Sequence, residues 1–477
     1  MEAHIRNFGR EGKNLKRLIM ATLAFGLLRC WSWMTFMENA ASDTTTALFA
    51  VPMQTLAEIF IGSWGFLTIP AALLIVGRTP PARRAWAIAG CLLTICIAAL
   101  ALVPHGESVD KIAAVAAGGG FAILFLLCTD LFLETDMRSM AIAQCAVACI
   151  SIVLIPLYFL MNDTLGGIYI LLFLPGATAT LLVAASRERI DDGDAPDPPS
   201  IGAADRIVVA RIVALCLIVN LCCGMLHGIL VSAHVEAYEK YYRYADVSYI
   251  ACSLLLGWAL YRFRGMRYET VCKIALPLIA VGFILFPLLG ARLPVACFLF
   301  IQSGFALFNI FDWICLLFVA SLFPRKNRPL VAGVAIFIWT TSTCVGMALP
   351  DTMMASLALA SGEHPAVLAT VAGVLLSFAW LLTPEGIGPR PHYAAQPRSR
   401  LASQEDPAVS FGLTRQETII FELLAEGMKN TEICASLNIA ENTLRTHLKN
   451  IYRKTGIGTR KQLVTTARRE RVDGETQ

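Results

Sequence analysis

Twelve apolar stretches, most of them about the 20 residues that a helix needs to cross some 30 Å of hydrocarbon, dominate this 477-residue chain. They fall approximately at 18–37, 48–77, 85–103, 112–133, 139–161, 166–186, 208–232, 246–262, 270–290, 293–323, 329–349 and 365–383. In lipid every backbone polar group must be satisfied internally, and runs of this length can do so only as helices. The chain therefore reads as all-α, with a polytopic membrane bundle over residues 18–383. Composition agrees, since 56% of residues are hydrophobic and 16% charged, far from a soluble domain. The lipid bilayer is the first partner that this sequence requires.

Lys and Arg collect on alternate connections, as the cytoplasmic loops of membrane proteins do. One set comprises Arg6, Arg10, Lys13, Lys16 and Arg17 in an N-terminal tail (residues 1–17), then Arg78, Arg83 and Arg84, then Arg138. It continues with Arg187, Arg189 and Arg206, with Arg262, Arg264 and Arg267, and with Arg325, Lys326 and Arg328. The intervening connections carry Glu38, Asp43, His105, Glu107, Asp163, Glu363 and His364, with only Lys111, Lys240, Arg243 and Arg292 as cations. This alternation places both termini in the cytoplasm of a multi-pass cell-membrane protein. The basic start followed by an apolar run has the outline of a secretory signal. It offers no persuasive small-x-small cleavage site, however, and losing the first span would break the alternation, so it reads as an uncleaved span.

Almost all of the fifteen cysteines sit within apolar runs, Cys91, Cys145, Cys216 and Cys315 among them, where thiols behave as small hydrophobes. No CxxC with metal spacing occurs, so neither a disulfide framework nor a metal site is expected, and no cofactor. A Walker loop, an HExxH motif and a nucleophile elbow are likewise missing, which points away from an enzyme.

The longest polar connection between spans, Arg187 to Asp205, is acidic and Pro-rich and follows the sixth span, dividing the runs six plus six. This layout resembles the major facilitator superfamily, in which two six-helix halves enclose a central site. That family's basic loop between spans two and three corresponds here to Gly77-Arg78-Thr79-Pro80-Pro81-Ala82-Arg83-Arg84, which keeps the cations but lacks the acidic residue and the second glycine. The resemblance implies the fold, while the departure bears on whether a transport cycle operates.

Ionisable residues within spans are costly and are functional candidates by default. Arg29, Glu58, His227 and Asp312 lie well inside the first, second, seventh and tenth runs, with Trp33 near Arg29 and Trp313 beside Asp312. One reading is a polar, aromatic-lined cavity for a small ligand, built from Arg29, Trp33, Glu58, His227 and Asp312. The other is structural: Arg29 and Glu58 neutralise one another, and Asp130 and Glu134 reach the inner interface.

After the last run, residues 384–411 hold Pro384, Pro389, Pro391, Pro397 and Pro407 without apolar periodicity and read as a flexible linker. Residues 412–477 then form a separate small domain. Thr414 and Glu417 have capping-box spacing, Ile420, Leu423 and Leu424 form a buried stripe, and Gly427 follows as a helix stop. A short helix from about Asn430 to Leu437 buries Ile433 and Leu437. The next, from about Glu441 to Lys454, sets Leu444, Leu448 and Ile451 on one face and Asn442, Arg445, Thr446, Lys449 and Arg453 on another, with Gly456 closing it. Thr459 and Gln462 make a second capping box, for a fourth helix through Leu463, Val464 and Ala467.

From Leu413-Thr-x-x-Glu417 through Glu441-Asn-Thr-Leu-Arg-Thr-His447 to Arg453-Lys-Thr-Gly456, these residues resemble the LuxR-type helix-turn-helix. Lys429 and Ala440 depart from it, standing where the family has Ser or Thr caps. The resemblance implies that the third helix enters the major groove of promoter DNA. Asn442, Arg445 and Lys449 would then face base edges, while Thr443, His447, Lys454, Arg460 and Lys461 meet phosphates. It also implies a homodimer paired through the fourth helix at Leu463 and Val464. The expected whole is a membrane-embedded one-component transcription regulator whose bundle senses a small molecule. A transporter with a regulatory DNA-binding tail and a passive membrane anchor are the alternatives.

Overall fold

The computed structural model describes residues 2–32, 34–35, 53–77, 79–100, 106–161, 165–187, 203–232, 236–263, 266–289, 292–357, 364–384, 387, 415–425, 428, 430–437, 441–457 and 462. The chain divides into two compact units, Met1–Pro389 and Arg390–Gln477.

The first unit contains twelve α-helices among the described residues. They are α1 (Glu2–Ser32), α2 (Met53–Ile75), α3 (Pro80–Leu100), α4 (Glu107–Phe132), α5 (Met137–Met161) and α6 (Leu165–Arg187). The second six are α7 (Ala203–Ser232), α8 (Glu236–Arg262), α9 (Tyr268–Leu289), α10 (Pro294–Ser321), α11 (Arg328–Leu357) and α12 (His364–Ala379). Among the described residues nine of them are long and apolar enough to cross a membrane. Hydropathy located these helices but not always their ends. Helix α1 runs unbroken from Glu2 through the stretch read as a tail, and α8 begins at Glu236 rather than near 246. Lys, Arg, Glu and Ala favour helix without being apolar, so a helix can continue past the point where its hydropathy falls. Pro70, Pro156 and Pro175 sit inside α2, α5 and α6, whereas Pro294 occupies the first turn of α10, where its missing N–H costs nothing.

The packing repeats with a shift of six helices. In the first half α1 packs on α5 and α6, α2 on α4, and α3 on α4 and α6. In the second, α7 packs on α11 and α12, α8 on α10, and α9 on α10 and α12. The halves meet chiefly through α2 against α11 and its counterpart α5 against α8. The closest of these crossings is α7 on α11, where a Cβ on Gly224 would stand 2.0 Å from the Thr343 carbonyl oxygen. Only glycine lets the two backbones approach that far.

Charges at one end of the bundle are paired. Glu134, just after α4, forms ion pairs with Arg17 of α1 and, at 3.2 Å, with Arg325 of the α10–α11 connection, so it ties the two halves together. Arg83 of α3 pairs with Asp130 of α4. Asp130 and Glu134 thus fit the structural reading of intramembrane charge.

The second unit contains α13 (Arg415–Ala425), α14 (Asn430–Leu437) and α15 (Glu441–Thr455). Ile420, Phe421 and Leu424 of α13, Ile433 of α14, and Leu444, Leu448 and Ile451 of α15 form its buried core. Leu423 and Leu437 pack partly buried against it. The Met428 N–H closes on the Leu423 carbonyl at 3.2 Å, the bond that ends a helix just past its C-terminal cap. Gly456 takes φ +70° after α15, a conformation that glycine adopts without strain. Thr414, Gly427 and the expected fourth helix, apart from Gln462, lie outside the described residues.

Candidate ligand cavity and nucleic-acid interface

A cavity of about 430 Å³ lies between the two halves of the bundle. Its walls come from α1, α2, α4 and α5 and from their counterparts α7, α8, α10 and α11, and none of the described residues of α3, α6, α9 and α12 lines it. Arg29 projects into it from α1 and donates to the Tyr249 hydroxyl of α8 at 2.5 Å, with its guanidinium carbon 5.0 Å from the centre of the same ring. The Asn309 amide of α10 donates to that hydroxyl as well, at 2.9 Å. Asp312, one turn further along α10, is buried in the wall and accepts from the Cys216 thiol at 2.9 Å.

Rings make up much of the remaining surface. Phe25 and Trp313 meet edge to face with centroids 5.1 Å apart, Trp64 and Phe121 at 4.9 Å, and Trp313 and Trp339 at 6.3 Å. Such a wall offers large apolar area with few rotamers to freeze on binding. Trp31 is instead packed into the protein between Phe60 and Phe121.

Of the five sequence candidates, Arg29 and Asp312 line this cavity. Glu58 does not: it is exposed on α2, close to Cys344 of α11, and is not part of the cavity wall. Its helix packs chiefly on α4 and α11, so the order of spans in the sequence was a poor guide to its main neighbours. His227 lies on α7 but its side chain is outside the described residues, as is Trp33 altogether. Charge alone missed the uncharged polar groups. Gln144, Asn220, Gln302 and Asn309 fall well inside the apolar runs, and all four line the cavity. An amide that interrupts an apolar run was the signal that could have found them.

On α15, Asn442, Thr443, Arg445, Thr446, Lys449 and Arg453 are exposed, opposite the buried Leu444, Leu448 and Ile451. Arg445 pairs with Glu441 one turn back at 2.8 Å, and Arg453 donates to Asn450 at 3.3 Å. Both side chains lie along the helix surface. His447 is half-buried. Lys454 stands apart from the other cations, since its ammonium is 2.6 Å from the buried Glu417 carboxylate of α13. Arg460, Lys461, Leu463 and Val464 lie outside the described residues.

Residues 412–467 match the family model described as bacterial regulatory proteins, luxR family. The spore germination protein GerE of Bacillus subtilis is 40% identical over 52 residues, which cover 11% of this chain and 70% of that protein. The chain belongs to the LuxR family. The LuxR-type domain is also 38% identical over 55 residues to the HTH-type transcriptional regulator MalT of Vibrio cholerae. That match covers 12% of this chain and only 6% of MalT, so the likeness is confined to the LuxR-type domain. The bundle of this LuxR-family chain has a different likeness. The major facilitator proton:xylose symporter XylE superposes with a TM-score of 0.58 at 12% identity, over 79% of this chain and 96% of that one. The membrane region thus has the major facilitator fold.

Proposed function

We propose that this protein is a one-component transcription regulator held in the cell membrane, in which a small ligand bound between the two halves of the bundle controls promoter binding by the LuxR-type domain. The observation that carries the reading is the joining, in one chain, of a LuxR-type domain to a bundle with a central cavity lined by both halves. A ligand touching both halves can favour one arrangement of them over another, and it shifts their equilibrium by its difference in affinity for the two. Both termini face the cytoplasm in this reading, with 1–17 at the inner face, 18–383 as the membrane domain, 384–411 as linker and 412–477 as the DNA-binding domain. The exposed face of α15 enters the major groove, with Asn442, Arg445 and Lys449 toward base edges and Thr443, Thr446 and Arg453 toward the backbone. Two copies pair on DNA through the region of Leu463 and Val464.

The retention of the whole two-half fold favours one second reading, a transporter with a regulatory tail. The two separate in cells carrying a reporter fused to the target promoter. The sensor reading expects an inducer to change reporter output through the full-length chain, but not through residues 390–477 expressed alone. It expects no ion-driven accumulation of that inducer in vesicles. Accumulation that is lost in Arg29→Gln, together with reporter output that is blind to the inducer, would establish the transporter instead.

A further inference from the structure

We propose that the ligand of this cavity is a small organic monocarboxylate with a flat apolar body, its carboxylate held by Arg29 and Tyr249. This rests on the reading of the cavity as a sensory site and names what the site takes.

Three donors of the cavity wall have no acceptor among the described residues. The Tyr249 oxygen already accepts from Arg29 and Asn309, so both of its lone pairs are used and its own hydrogen is left to give away. Gln144 is 5% exposed and lines the cavity, yet its Nε2 makes no hydrogen bond. The indole N–H of Trp64, on the same lining, has no acceptor either. A buried donor without an acceptor costs free energy until one arrives. Arg29 and Tyr249 already meet across the cavity, whereas Gln144 stands about 10 Å further along α5, seven residues before the Ser151 whose hydroxyl meets the Cys30 thiol. A carboxylate is a pure acceptor with two oxygens and about four lone-pair sites, and its bonds to a guanidinium are charge-assisted. A sugar would bring a hydrogen-bond donor with nearly every acceptor, and it has no charge with which to use the Arg29 guanidinium as a carboxylate does.

Asp312 sets the other limit. It stands three residues after Asn309 on α10, about 4.5 Å further along the helix axis, bonded to the Cys216 thiol and in no ion pair among the described residues. A second anionic group on the ligand would find no positive charge there to offset its desolvation, so dicarboxylates and phosphate esters are disfavoured. Between these ends the walls are the rings of Trp64, Phe121, Phe125 and Trp313, which suit a flat apolar body.

The test uses the full chain in lipid nanodiscs, with tryptophan emission followed on titration with phenylacetate, phenylacetamide, 1,4-phenylenediacetate and D-xylose. The expected result is a saturable change with phenylacetate, and affinities for the other three weaker by about tenfold or more, one charge-assisted hydrogen bond's worth. Arg29→Gln should cost the acid far more affinity than the amide and so erase the preference between them. Equal affinity for acid and amide, tighter binding of D-xylose or of the dianion, or no saturable change with any of the four overturns the proposal. A promoter response to a neutral inducer would sink this assignment and leave the sensory reading standing. Tight carboxylate binding without any effect on promoter output would do the reverse.

Discussion

The ammonium of Lys454, in the last turn of α15, lies 2.6 Å from the carboxylate of Glu417, in the first turn of α13. The Glu417 side chain is only 4% exposed and that of Lys454 26%, so the pair pins the end of the recognition helix to the helix that opens the domain. Removing the cation takes a charge-assisted bond from a buried carboxylate, which costs more than losing an exposed surface pair. Lys454→Met should therefore destabilise the 390–477 fragment by about 2 kcal/mol, read as a lower urea midpoint. Adding Glu417→Gln to that variant should recover part of the loss. A midpoint unchanged in Lys454→Met would return Lys454 to the set of cations free to meet phosphate.

Arg445 and Arg453 lie on the same exposed face of α15 but should behave differently on DNA. Arg445→Ala is expected to cost about 1–3 kcal/mol at the specific site and much less on unrelated sequence. Arg453→Ala should weaken both alike and lower the slope of affinity against salt by about one contact. Fluorescence anisotropy at several salt concentrations separates the two patterns, and identical behaviour would mean that the face is assigned wrongly.

Glu134 is held by two arginines of unequal burial. The side chain of Arg17 is 10% exposed and that of Arg325 39%. Arg17→Ala should accordingly cost roughly 3 kcal/mol and Arg325→Ala well under 1, because solvent screens the second pair. Thermal unfolding of the purified full-length chain checks the order. A larger effect at Arg325 would contradict this account of the inner end of the bundle.

Gly224 and Gly62 make a matched comparison. A Cβ at Gly224 collides with the backbone of α11, whereas at Gly62 it meets nothing within 4 Å. Gly224→Ala is expected to destabilise the bundle by about 1–3 kcal/mol, and Gly62→Ala to be neutral or slightly stabilising. Unfolding in mixed detergent measures both. Equal tolerance would show that α7 and α11 cross less closely than described.

Much of this architecture was legible in the residues because lipid enforces simple rules. Runs of apolar length became helices, and α14 and α15 fall where periodicity puts them, with Leu444, Leu448 and Ile451 buried. Partnerships across the bundle were harder to read. Arg29 is bonded to Tyr249, 220 residues away, because α5 rather than α2 lies between α1 and α8 in space, and no spacing rule carries that information. Glu417 and Lys454 are likewise 37 residues apart. The capping-box spacing around Glu417 explains why a carboxylate stands at a helix start, but not which cation reaches it. The amides Gln144, Asn220, Gln302 and Asn309 each interrupt an apolar run, a weaker signal than a charge but one that also marks the cavity wall.

Control of the LuxR-type domain by the cavity is tested most directly by the DNA affinity of the full-length chain in nanodiscs, measured on its own promoter fragment with and without saturating phenylacetate, with tryptophan emission reporting occupancy. The account predicts that affinity changes at least several-fold when the cavity fills. Arg29→Gln should show no change at the same concentration, and neither should residues 390–477 alone. Identical DNA affinity with the cavity demonstrably full and empty would contradict it, leaving the bundle as a transporter or an anchor to which a LuxR-type domain is merely attached.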